Sequence, residues 1–155
     1  MAMTNSDWIS LAAFFIAILS AIYSRNATNE AKRSNKLTLH FKMVEIYEEV
    51  LNFSDCFRGI FTVPSAQRLE NFRLNAVRSS ELYFSEEIVK SLKDIYSHCS
   101  EQETWLSIAE GRNPTKIEGV DLPSDLEIRS EYKYVLNMIY PTLDLMKKEI
   151  NKKMA

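Results

Sequence analysis

Residues 8–23 read WISLAAFFIAILSAIY, and only Ser10 and Ser20 among them fall outside the hydrophobic set. Extended to Ser24 and bounded by Asp7 and Arg25, the run reaches the lower limit of the roughly 17 to 25 helical residues that cross a bilayer core. A cleaved secretory signal opens with a positive n-region, whereas MAMTNSD carries no Lys or Arg, and Arg25 interrupts IYSRNAT as a cleavage site. The run is therefore expected to be an uncleaved anchor, residues 1–25, ahead of a cytoplasmic domain of residues 26–155. Basic residues near the ends of a span set its orientation. None precedes it, and Arg25, Lys32, Arg33, Lys36 and Lys42 follow it. The expectation is a single-pass membrane protein with its N-terminus outside, on which the Asn26-Ala27-Thr28 pattern has no bearing.

Outward from that run, neither Gly nor Pro occurs before Gly59, so nothing breaks a helix from about Ser6 through about Phe53. Its apolar stripe beyond the membrane reads Leu37, Phe41, Val44, Tyr47, Leu51, widened by Ile46, Val50 and Phe53, the spacing of a core-facing helix. Ala66, Leu69, Phe72 and Ala76 predict a short second helix. Ser85 with Glu86 and Glu87 predicts an N-cap opening a helix through Ile88, Leu92, Ile95, Cys99 and Leu106 that ends near Gly111. GRNPTKIEGVDLP reads as a loop, and Ser124 to Glu127 as a capping box. The helix after it should bury Ile128, Tyr132, Val135 and Ile139, be kinked or divided at Pro141, and continue through Leu143, Leu145, Met146 and Ile150 into the basic tail. The fold class is all-α: one N-terminal transmembrane helix continuous with a cytoplasmic four- to five-helix bundle.

Composition agrees with that class. Three glycines and four prolines are far below the usual shares of about 7% and 5%, which disfavours a β-sandwich, a Rossmann unit or a P-loop. Lys+Arg 19 against Asp+Glu 21 gives a net charge of -2, so no global positive field holds a polyanion. Cys56 and Cys99 are too few for a disulfide framework or a paired-cysteine metal site, and are expected reduced in a helical core. No cofactor and no metal are expected.

One pattern exceeds a generic helix. Alternate steps of three and four from Ser10 meet Ser10, Ala13, Ala17, Ser20, Ser24, Ala27, Ala31, Ser34 and Thr38, all small. This is the period of a coiled-coil seam, and in lipid such residues let helix backbones approach closely. Identical copies packed through the seam would line an axis with Ser10, Ser20 and Ser24, with Asp7 at the outer mouth and Arg25 at the inner, a conduction path. Against this stands the plainer reading that Ala and Ser are common in any membrane helix.

The candidate chemical residues are Arg33 and His40. Seven steps of about 100° return to nearly the same helix face, and the spacing resembles the Arg-x4-6-His signature of HEPN ribonucleases. The family pattern often has Asn directly after Arg, where this chain has Ser34, with Asn35 one place later. The resemblance implies metal-independent RNA cleavage, His as base and Arg on the phosphate. The alternatives are a juxtamembrane charge for Arg33 and a half-buried rim residue for His40, or RNA or partner binding without cleavage. A single N-terminal membrane helix, a helical body of about 130 residues and Arg33-x6-His40 together resemble the small accessory membrane proteins of type VI-B CRISPR systems. That resemblance implies a HEPN-like oligomeric pore that depolarises the host membrane in RNA-guided antiphage defence, with Arg33 and His40 serving structure or activation. The partners it implies are membrane lipid, further copies of the chain, and an RNA-guided nuclease system or RNA as activator, with no DNA. The other readings are a membrane-tethered ribonuclease and a non-enzymatic anchored scaffold.

Overall fold

The computed structural model describes residues 5–57, 64–112 and 125–154, with side chains for residues 8–9, 13–57, 64–112 and 134–154. Every regular element among them is helical: α1 Asn5–Ser54, a 3-10 turn Asp55–Phe57, α2 Ala66–Phe72, a π-helical stretch Arg73–Arg78, α3 Ser79–Tyr83, α4 Glu86–Ala109 and α5 Asp125–Met154. The all-α expectation holds, and α1 is the unbroken helix that the lack of Gly and Pro predicts. The chain divides into two units, Met1–Leu39 and His40–Ala155. The loop expected from Asn113 onward, the Ser124 cap, and the side chains of Ile128 and Tyr132 lie outside the described residues.

The second unit holds the core. From α1 it takes Met43, Ile46, Val50 and Phe53, all nearly or fully buried. The Phe53 ring stacks on Phe72 of α2 at 4.0 Å and 17°, and meets Phe57 edge-on at 5.3 Å. Glu49 of α1 and Arg68 of α2, both half-buried, form an ion pair at 3.1 Å on the flank of that stack. The stripe expected from sequence is thus displaced. Leu37 and Phe41 are 42% and 67% exposed, Val44, Tyr47 and Leu51 are half-buried, and the residues expected only to widen the stripe are its centre, joined by Met43. At about 100° per residue the two faces differ by roughly 140°. The helix is apolar on both, and the aromatic partner on α2 selects between them.

Beyond Phe72 the helix widens into the π-helical stretch. Its larger turn makes steps of four return to one face, and Phe72, Ala76, Ser80 and Phe84 are all buried. Ser80 Oγ donates to the Val77 carbonyl at 2.6 Å, satisfying a buried hydroxyl locally. Ser85 then opens α4 in the extended conformation of an N-cap, although its side chain makes no capping hydrogen bond. All five residues expected on the inner face of α4 are buried. The helix stops where Gly111 adopts φ 70°, with Glu110, Gly111 and Arg112 N–H groups donating to the Leu106, Ile108 and Ser107 carbonyls. That left-handed turn strains any side-chain-bearing residue, which explains glycine there.

Helix α4 packs along α5, whose inner face is Val135, Ile139, Leu143, Met146 and Ile150. Pro141 lies inside α5, which is a single helix, so the expected division does not occur. Pro141 is exposed and leaves only the Asn137 carbonyl without its N–H partner. At the next position the Thr142 hydroxyl donates to the Met138 carbonyl at 2.8 Å, reinforcing the ladder beside the gap.

Among the described residues no helix is long and apolar enough to cross a membrane. In the run at 8–24, the part with consecutive described side chains is residues 13–24, about 18 Å of helix against about 30 Å of bilayer core. Side chains of residues 10–12 are outside the description.

The displaced stripe is testable. Phe53→Ala should cost about 3 to 5 kcal/mol in urea unfolding, because it empties a fully buried ring position. Phe41→Ala should cost less than about 0.5 kcal/mol.

Candidate functional site

The candidate surface is the first part of α1. Trp8, Ile9, Phe14, Phe15, Ile16, Ile18, Leu19, Ile22 and Tyr23 are each 40 to 75% exposed. At about 100° per residue they spread over roughly 220° of the helix circumference. The remaining arc holds Ala13, Ala17, Ser20, Ser24, Ala27 and Ala31, all exposed, and a 3.5-residue period drifts only about 20° per heptad on a straight helix. Bulky and small side chains therefore occupy separate sides. Thr28 and Thr38 turn their hydroxyls back to the Ser24 and Ser34 carbonyls at 2.8 and 3.0 Å, which presents methyl groups outward.

Asp7 and Ser10 belong to α1, with side chains outside the described residues. Arg25 and Arg33 are exposed, and His40 is half-buried with its ring 6.2 Å from Phe41. Arg33 falls in the first unit and His40 in the second. His98 is also half-buried, 6.0 Å from the Tyr134 ring. Cys56 and Cys99 are free thiols. Burial, with Cys56 adding to it, pushes the Cys99 thiol up to about 12, so it stays neutral at ordinary pH. Among the described residues no group of three or more His, Cys, Asp or Glu is placed to hold a metal ion.

A feature that periodicity does not reveal joins the last turns of α5 to the α3–α4 junction. Lys153 Nζ donates to the Tyr83 carbonyl at 2.6 Å and pairs with Glu149 at 2.8 Å. The other Glu149 oxygen accepts from the Ser85 N–H at 3.2 Å. This carboxylate takes the N–H of the N-cap residue, the donor that the acid of a capping box engages, and its charge near the start of α4 suits the helix dipole. Beside it lies a groove of about 500 Å3 lined by Glu87, Ile88, Leu145, Lys148, Glu149 and Lys152 among others. The sequence signal was only the basic tail. Neither the reach of Lys153 to Tyr83 nor the bond from the Ser85 N–H to Glu149 follows from local spacing.

Partial burial would raise the Glu149 carboxyl, but hydrogen bonds from Lys153 and Ser85 outweigh it and hold the group below its ordinary value. A lowered folded-state value gives stability that is present above the unfolded value and lost as pH falls through the folded one. Glu149→Gln should thus destabilise by about 1 kcal/mol at neutral pH. The gap from the unmodified chain should narrow below about pH 4, where an ordinary carboxyl begins to protonate. Urea unfolding at both pH values measures it.

No protein-family model matches the chain, no curated protein matches it in sequence, and no solved structure matches it.

Proposed function

We propose that this protein is a membrane-anchored helical effector whose copies associate through the small-residue arc of α1 and make the inner membrane leaky, in antiphage defence linked to RNA-guided CRISPR systems. The observation that supports it is the exposure of nine large apolar side chains on one stretch of α1. Soluble monomers rarely expose contiguous apolar patches beyond a few hundred Å2, and a helix apolar around most of its circumference suits lipid or a protein interior. The sequence run at 8–24 reaches the minimum length for a span once residues 10–12 are included.

A lone helix satisfies its own backbone and offers no water-filled path. Conduction requires several copies around an axis, and the small arc suits that inner position. Ser10, Ala13, Ala17, Ser20 and Ser24 would line it, with Asp7 and Arg25 at the mouths, while Phe15, Ile18, Leu19 and Ile22 face lipid. The basic residues after the span favour an outside N-terminus and a cytoplasmic helical domain. Arg33 and His40 enter this reading as structural or activating residues of a HEPN-like body, not as a nuclease centre.

Ala17→Leu should force the backbones apart and remove the dispersion contacts that hold membrane helices together, whereas Ile18→Leu should not. A membrane-potential dye in expressing cells should report depolarisation for the unmodified chain and Ile18→Leu, and none for Ala17→Leu. A steady potential under every condition that produces a phenotype would leave an anchored scaffold as the better account. Purified protein should show no appreciable ribonuclease activity; metal-independent cleavage that disappears in His40→Ala would support the tethered-ribonuclease reading instead.

A further inference from the structure

The last turns of α5 carry Lys147, Lys148, Lys152 and Lys153, all exposed. Two basic residues in the last turn, Lys152 and Lys153, are what the negative end of a helix dipole accounts for, since that field fades within one turn. Lys147 and Lys148 lie farther back and need another explanation. Elsewhere in the second unit many cations meet carboxylates: Lys42 with Glu45, Arg73 with Glu70, Lys93 with Glu81, and Arg112 with Glu103 and Glu110. Among the four lysines of the α5 end, the ion pair belongs to Lys153, which Glu149 and the Tyr83 carbonyl engage. Glu149 is in turn committed to Lys153 and the Ser85 N–H, and the carboxylates nearest the other three lysines, Asp144 one turn back on α5 and Glu87 in the same groove, are exposed and offset part of their charge without forming an ion pair with them.

We infer that Lys147, Lys148 and Lys152, at the end of α5, form a docking surface for anionic phospholipid headgroups. Basic side chains near an anionic leaflet each add to attraction without fixed geometry, which suits lysine, a compact charge on a flexible stem. Leu145 and Ile88 give the adjoining groove an apolar floor, and Met154 is 37% exposed at the tip, so the surface offers apolar contact at the headgroup boundary as well as charge. Nucleic acid fits less well. The cluster has no arginine fork for bidentate phosphate contact, and no aromatic ring lines the groove for base stacking. The inference goes beyond the reading of α1 and uses different residues.

The test uses the full chain with Cys56→Ser and Asn151→Cys, labelled with an environment-sensitive fluorophore. The buried Cys99 thiol stays unlabelled. Vesicles are phosphatidylcholine alone, or with about 30% phosphatidylglycerol to supply the negative surface. The probe should blue-shift on the anionic vesicles only, and the shift should be lost at about 0.5 M salt. It should also be lost when Lys147, Lys148 and Lys152 are all replaced by Gln, with the affinity of the probe response falling at least about tenfold. Glutamine keeps good helix propensity, and the salt arm needs no lysine variant. Equal emission on both vesicles, or a shift that survives in the triple variant, overturns the inference. So does a lysine-dependent shift with an RNA oligonucleotide in the absence of any response to anionic vesicles. Co-flotation with phosphatidylcholine vesicles reads α1 separately, so failure of the anchor and failure of the lysine surface are distinguishable.

Discussion

The second unit depends on how the Phe53 ring meets Phe72. At 4.0 Å and 17° the two rings lie nearly parallel, and one rotation of α1 about its axis satisfies that contact. Phe53 in the core brings Val50, Ile46 and Met43 in with it, about one, two and three turns back along the same face. It turns Phe41 outward, although Phe41 is as apolar as anything buried. The π-helical stretch that follows Phe72 then matters for a related reason. A wider turn carries Ala76, Ser80 and Phe84 to the same side as Phe72, so the chain leaving the ring stack keeps its buried face until α4 begins.

Helix existence and ends were legible where glycine, proline and caps punctuate the chain. The absence of both breakers through residue 58 allowed one helix, and α1 is one helix. Ser85 and Gly111 marked the two ends of α4, and period alone picked its inner residues. The phase of α1 was not legible, because Leu37, Phe41, Val44 and Leu51 make as good a stripe as Met43, Ile46, Val50 and Phe53. Only a partner distant in sequence distinguishes them. Pro141 marked a kink or a division, and the helix is not divided: an exposed proline loses one hydrogen bond while tertiary packing of Ile139, Leu143 and Met146 holds the helix on both sides. The π turn has no signature in composition or period.

The site divides in the same way. The apolar run and the small arc could be read directly, since each is a property of consecutive residues on one helix. The pairing of Arg33 with His40 rests on spacing alone, which places two side chains on one face and says nothing of the pocket that chemistry needs. The Glu149 and Lys153 contacts with Ser85 and Tyr83 were illegible because they join residues 64 and 70 positions apart. Contacts of that separation are what a fold adds to a pattern.

What covers α1 can be argued from angles. Large apolar side chains occupy roughly 220° of its circumference and small ones most of the rest, at about 100° per residue. A second helix in a two-helix contact covers one stripe, and placed on the bulky side it would still leave much of that arc in water. Placed on the small side it gains close approach but shields none of the large residues. Protein association by either face alone thus leaves the larger hydrophobic term uncovered, whereas lipid covers the bulky arc without asking for any particular geometry. In the membrane-anchored assembly proposed above, the small arc is the place where another copy adds something lipid does not, namely backbone-to-backbone contact. The segregation of side chains by size is what that proposal requires of α1, with lipid on one side and a like helix on the other.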